Sequence, residues 1–140
     1  MEQKDYLQNQ IEQLSFFLKK LLANILALKS SGNELDVESL VSNELTNELN
    51  FDVNEFKLLS KYELKSYLQK FNFNENHIEK LAEIFIEMSS LNSNTVIENQ
   101  NYISKAIELL ELADENSNSF SVERNQTKTK LLETFKSLQN

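Results

Sequence analysis

The chain has no proline and one glycine, Gly32, in 140 residues. That scarcity constrains the fold more than any motif does. Tight β-hairpins need residues with positive φ, and α/β connections usually place glycine where strand meets helix. A chain without either punctuator must connect its elements through helices and polar loops. Asparagine stands at almost every break, and it enters the left-handed region more readily than other non-glycine residues. No stretch shows strand-like alternation. The reading is an all-α fold of six to seven helices in a single domain, residues 1–140. It divides into a long N-terminal helix (1–30), a central cluster of short helices (36–91) and a C-terminal helical hairpin (95–139).

The N-terminal helix is predicted over Lys4–Lys29, with Gly32 supplying its left-handed stop. Leu7, Ile11, Leu14, Leu18, Leu21, Ile25 and Leu28 recur at alternating spacings of four and three. They form a heptad stripe with Ile11, Leu18 and Ile25 at a and leucines at d. Phe16, Phe17, Leu22 and Leu26 lie beside this stripe, so the apolar surface exceeds one seam. Each such side chain contributes about 1.5–3 kcal/mol when buried, so the surplus demands a cover. The chain's own shorter helices, a second chain and a membrane surface are the three candidates.

Further along, Asp36 is the expected N-cap of Val37–Leu49. Asp52-Val53-Asn54-Glu55, Ser60-Lys61-Tyr62-Glu63 and Thr95-Val96-Ile97-Glu98 have capping-box spacing. Asn74 caps a helix over Glu75–Leu91 with Ile78, Leu81, Ala82, Phe85 and Met88 inward. Tyr102, Ile103, Ala106, Ile107, Leu110 and Ala113 mark the apolar face of the next helix. The last helix, near Ser121–Leu138, begins with VERNQTKTK, which has almost nothing to bury.

The chemistry of catalysis is poorly represented. There is no cysteine and one histidine, His77. Its place in a first helical turn reads as an exposed or capping residue. Rows such as Glu79, Glu83 and Glu87, or Glu108, Glu111 and Glu115, read as solvated helix flanks, with Lys80 pairing the first row. No Glu-x-x-His motif of di-metal bundles is present, so neither cofactor nor metal is expected. A net charge of −8 disfavours nucleic acid. From Glu34 to Glu55 there are seven acids and no base, read as a solvated acidic face. The N-terminus has acids where a signal peptide carries bases, and Lys19 and Lys20 interrupt its apolar run. No segment approaches the length of a membrane span. A cytoplasmic location is the expectation.

Two resemblances follow from particular residues. Asp5-Tyr6-Leu7, Ile11-Glu12-Gln13-Leu14 and the closing Leu26-Ala27-Leu28-Lys29 resemble the opening of a group of small bacterial all-helical proteins with no assigned activity. Those proteins often carry glycine in the closing step, where this chain has Ala27. The resemblance implies a helical fold and a bacterial origin. The C-terminal hairpin resembles a single tetratricopeptide repeat, with Tyr102 and Ala106 in packing places. It lacks that repeat's tryptophan, first-helix glycine and terminal proline, and no second copy recurs at about 34 residues.

The functional expectation is a non-enzymatic protein–protein interaction module that self-associates through its N-terminal helix. A homodimer or another protein is the expected partner, and the interface residues are Leu7, Ile11, Leu14, Phe17, Leu18, Leu21, Leu22 and Ile25. The alternative is a bundle enclosing a small ligand, with Tyr67, Phe85 and Met88 as walls. Behind it stands an enzyme using paired carboxylates.

Overall fold

The computed structural model describes residues 2–117 and 120–139, with side chains from Asp5 onward. Among the described residues there are seven α-helices and no strand. They are α1 (Glu2–Ser30), α2 (Val37–Leu49), α3 (Val53–Leu58), α4 (Lys61–Gln69), α5 (Glu75–Ser89), α6 (Val96–Glu115) and α7 (Val122–Gln139). A 3-10 turn, Glu34–Asp36, precedes α2.

Helix boundaries follow local chemistry. Gly32 ends α1 at φ +80°. The Asn33 N–H reaches the Leu28 carbonyl at 2.8 Å and the Gly32 N–H reaches that of Lys29 at 3.4 Å, the two bonds of a Schellman stop. Ser60 with Glu63, and Thr95 with Glu98, form reciprocal capping boxes. Asp52 does half of this. Its carboxylate accepts from the Asn54 and Glu55 N–H groups, while its own N–H donates to the Tyr67 hydroxyl at 3.0 Å. Asp36 departs from expectation and makes no side-chain cap. It closes the 3-10 turn in helical geometry, and that turn runs straight into α2.

Two corners repeat one device. Asn50 and Asn72 adopt φ of 57° and 58°. Phe51 and Phe73 follow them and are buried. Asp52 and Asn74 then cap the next helix. Asn-Phe-Asx thus stops one helix in the left-handed region, drops an aromatic ring into the core and starts another helix within three residues. Apolar residues after a left-handed stop commonly pack back on the helix they leave.

Phe51 is the hub of the core. Its ring centroid lies 5.0 Å from Phe56, 5.2 Å from Tyr67 and 5.3 Å from Phe71. Phe56 continues the contact to Phe85 at 5.4 Å, and Phe85 to Tyr102 at 5.9 Å. These tilted and edge-on pairs suit the ring quadrupoles. One continuous apolar core includes side chains from all seven helices. The most extensive helix pair is α5 with α6, flanked by α1 on α5 and α7 on α6. The closest packing therefore crosses the expected division between a 36–91 cluster and a 95–139 hairpin.

Candidate interaction surface

The structure divides the eight expected interface residues into three groups. Leu14, Leu18, Leu21 and Ile25 are buried in the chain's own core. Leu18, Leu21 and Ile25 are thus covered by the chain itself, whereas Leu14 sits at the edge of the core and also lines the groove described below. Phe17 and Leu22 are partly covered against that core. Leu7 and Ile11 stand 56% and 36% exposed. The difference arises because the body ends before the helix does: from Asp5 to Gln13 every residue of α1 is exposed. The surplus apolar residues divide too, since Phe16 is 69% exposed and Leu26 is also left open.

Beside this overhanging arm runs a groove of about 500 Å³. Leu7, Gln10, Ile11, Gln13, Leu14 and Phe17 form its α1 wall, with Glu48 and Leu49 from the end of α2 and Phe71 and Asn72 from the second corner. Glu48 is the one charged side chain among these ten. The groove exists because α2 runs back along α1 and stops at the Asn50 corner, leaving the first turns of α1 without a neighbour on that side.

The opposite flank of the arm is anchored by His77, which is 1% exposed. Burial at this position was not expected. Its Nδ1 accepts from the Asn74 N–H at 3.0 Å, while the Asn74 carboxamide oxygen accepts from the His77 N–H. An Nδ1 that accepts must be unprotonated, so the ring proton sits on Nε2. Nε2 lies 3.1 Å from the Ile11 carbonyl and 3.0 Å from Ser15 Oγ. Burial lowers the imidazole pKa from its ordinary value and outweighs the opposing bond to the Ile11 carbonyl. One neutral histidine thus starts α5 and ties it to α1.

Compared with protein-family models, with curated proteins and with solved structures, the chain finds no match.

The expected acidic rows are distributed among different cations. Glu83 pairs with Lys80 at 2.7 Å and Glu87 with Lys29 at 2.9 Å, while Glu79 reaches Arg124 at 3.0 Å. Glu108 pairs with Lys105, and Glu111 and Glu115 share Lys61. Among the described residues no group of three or more His, Asp or Glu is placed to hold a metal ion. Also among them, no helix is long and apolar enough to cross a membrane. Tyr67, Phe85 and Met88 all belong to the buried core. Met88 additionally lines a polar cleft of about 280 Å³ with Glu38, Ser42, Asn54 and Tyr102.

Sequence reasoning missed Arg124. It is 3% exposed and meets Glu75 at 2.7 Å, Glu79 at 3.0 Å and Asp114 at 3.0 Å. Burial opposes its charge, but the three carboxylates outweigh burial and raise its pKa. The available signal was its place seven residues before Leu131, two helical turns earlier on the same face.

Proposed function

We propose that the chain is a non-catalytic protein-interaction module that pairs with a second copy of itself through the first half of α1. The observation that supports this most is the continuation of the core stripe past the body, where Leu7 and Ile11 lie open beside an apolar groove. Depletion of charge is the compositional mark of an interface core, and among the described residues lining this groove Glu48 alone is charged.

A twofold contact must be self-complementary. The stripe meets that condition when two arms run antiparallel about an axis near Gln10. Leu7 of one copy then faces Leu14 of the other, and the two Ile11 side chains meet across the axis. Leu7 enters the partner's groove between Phe17, Leu49 and Phe71. The seam is short, at the small end of specific interfaces, so micromolar or weaker affinity is expected.

Sedimentation over a concentration series into the high micromolar range tests this reading. The wild type should pass from monomer to dimer. Leu7→Glu and Ile11→Glu should remain monomeric and folded, because both positions are already exposed. Phe16→Glu, on the outer face, should dimerise like the wild type. A wild-type monomer throughout, or a dimer indifferent to Leu7 and Ile11, would refute the proposal.

A further inference from the structure

The attachment of α7 differs from that of the other long helices. Of its 18 residues only Arg124 and Leu131 are buried, whereas α5 and α6 bury seven and eight side chains. Phe135 and Leu138 add partial apolar contact. Its direction along α6 is set by polar bonds at both ends. Arg124 and Lys128 reach Asp114 near the end of α6, at 3.0 and 3.3 Å. Gln100, near the start of α6, donates to the Leu138 carbonyl at 3.2 Å. The helices are antiparallel: α7 packs along α6, and its seat deepens to a trough at the acidic end, where Glu75 and Glu79 of α5 join Asp114 of α6 around Arg124.

Charge complementarity is pronounced. The α7 segment holds Arg124, Lys128, Lys130 and Lys136 against Glu123 and Glu133, in a chain whose net charge is −8. Among the described residues the buried Arg124 Nε has no hydrogen-bond partner. A buried guanidinium on three carboxylates fixes orientation strongly, while the apolar seam beneath it is thin. Removing one partner of such a cluster strands the others, so the arginine decides whether the helix stays docked.

We propose that the α5–α6 trough is an exchangeable helix-docking site, that α7 is its resident occupant, and that Arg124 is the latch. The partner it fits is a basic amphipathic helix from another protein. That helix carries an arginine for the acidic end and apolar residues seven, eleven and fourteen positions later, the spacing of Arg124, Leu131, Phe135 and Leu138. This is helix-in-groove recognition with an intramolecular competitor. Apparent affinity for an outside helix scales with the fraction of molecules whose trough is free.

The test uses the full chain and, as probe, a fluorescently labelled synthetic peptide of residues 121–139, read by anisotropy. Arg124→Met in the protein keeps the aliphatic stem but releases the latch. It should bind the peptide at least about tenfold more tightly than the wild type does. A peptide that itself carries Arg124→Met should lose that gain. Hydrogen exchange of the unmodified protein supplies a second readout that needs no variant. Amides of α7 should exchange faster than those of α5 and α6, and faster still as salt rises. Equal weak binding by both proteins, undiminished binding of the substituted peptide, or α7 protection equal to that of α5 and α6 would each overturn the proposal.

Discussion

His77 makes the stability of this protein depend on pH in a way that can be worked out before measurement. Its Nδ1 accepts from the Asn74 N–H and its Nε2 bonds the Ile11 carbonyl. Imidazolium has no acceptor, so protonation breaks the cap of α5. The folded pKa lies below the ordinary 6.5, and between these two values the unfolded chain binds the extra proton. Stability from this source is therefore complete above 6.5 and is lost as pH falls from there through the folded pKa. If the folded ring stays neutral, lowering pH from about 7 to about 5.5 costs at most about 1.3 kcal/mol. His77→Gln isolates the effect, because glutamine can return the capping bond to Asn74 without titrating. The variant should be less stable by roughly 1–2 kcal/mol near neutrality, where it lacks the link to Ile11. That deficit should shrink as pH falls to 5.5, by no more than that bound, since other ionisable groups titrate alike in both proteins. Urea denaturation at each pH, with a common m value, measures the difference. A deficit that stays constant, or that grows on acidification, would show that the ring is not held neutral by the fold.

Two further predictions concern the corners and stops. Phe51→Ala removes the ring that joins Phe56, Tyr67 and Phe71 and should cost about 3–5 kcal/mol, lowering the melting temperature by roughly 10 °C; a loss below about 1 kcal/mol would mean that the cluster closes over the gap. Gly32→Ala meets nothing within 4 Å of the added methyl group, so its cost is the strained φ alone, about 1 kcal/mol. Gly32→Asn should cost less, as Asn50 and Asn72 already adopt that conformation, and thermal melts of the two variants should rank in that order.

The groove beside α1 and the trough beneath α7 have different physics. Among the described residues lining the groove Glu48 alone is charged, so self-association through it should respond weakly to salt. The trough is organised by carboxylates, so docking there should weaken as salt screens them. Salt dependence therefore separates the two surfaces in any experiment that alters both.

Helix identity was legible in the sequence because its signals are local. A cap acts on backbone groups two or three residues away, and Ser60, Asn74, Thr95 and Gly32 act where their spacing places them. The heptad stripe of α1 was equally legible as apolar surface in need of cover. What covers it was not, because periodicity reports that a face is buried without saying by what. Only the tertiary structure put Leu14, Leu18, Leu21 and Ile25 in the core while leaving Leu7 and Ile11 beyond the end of the body. His77 and Arg124 follow the same logic. Their decisive partners lie 66 residues away at Ile11 and 49 away at Glu75. The sequence holds one histidine and one arginine, and a capping position for the first or a shared face with Leu131 for the second does not say what lies opposite. Chain segments distant in sequence remove water from these groups, and that desolvation makes one a neutral cap and the other a latch.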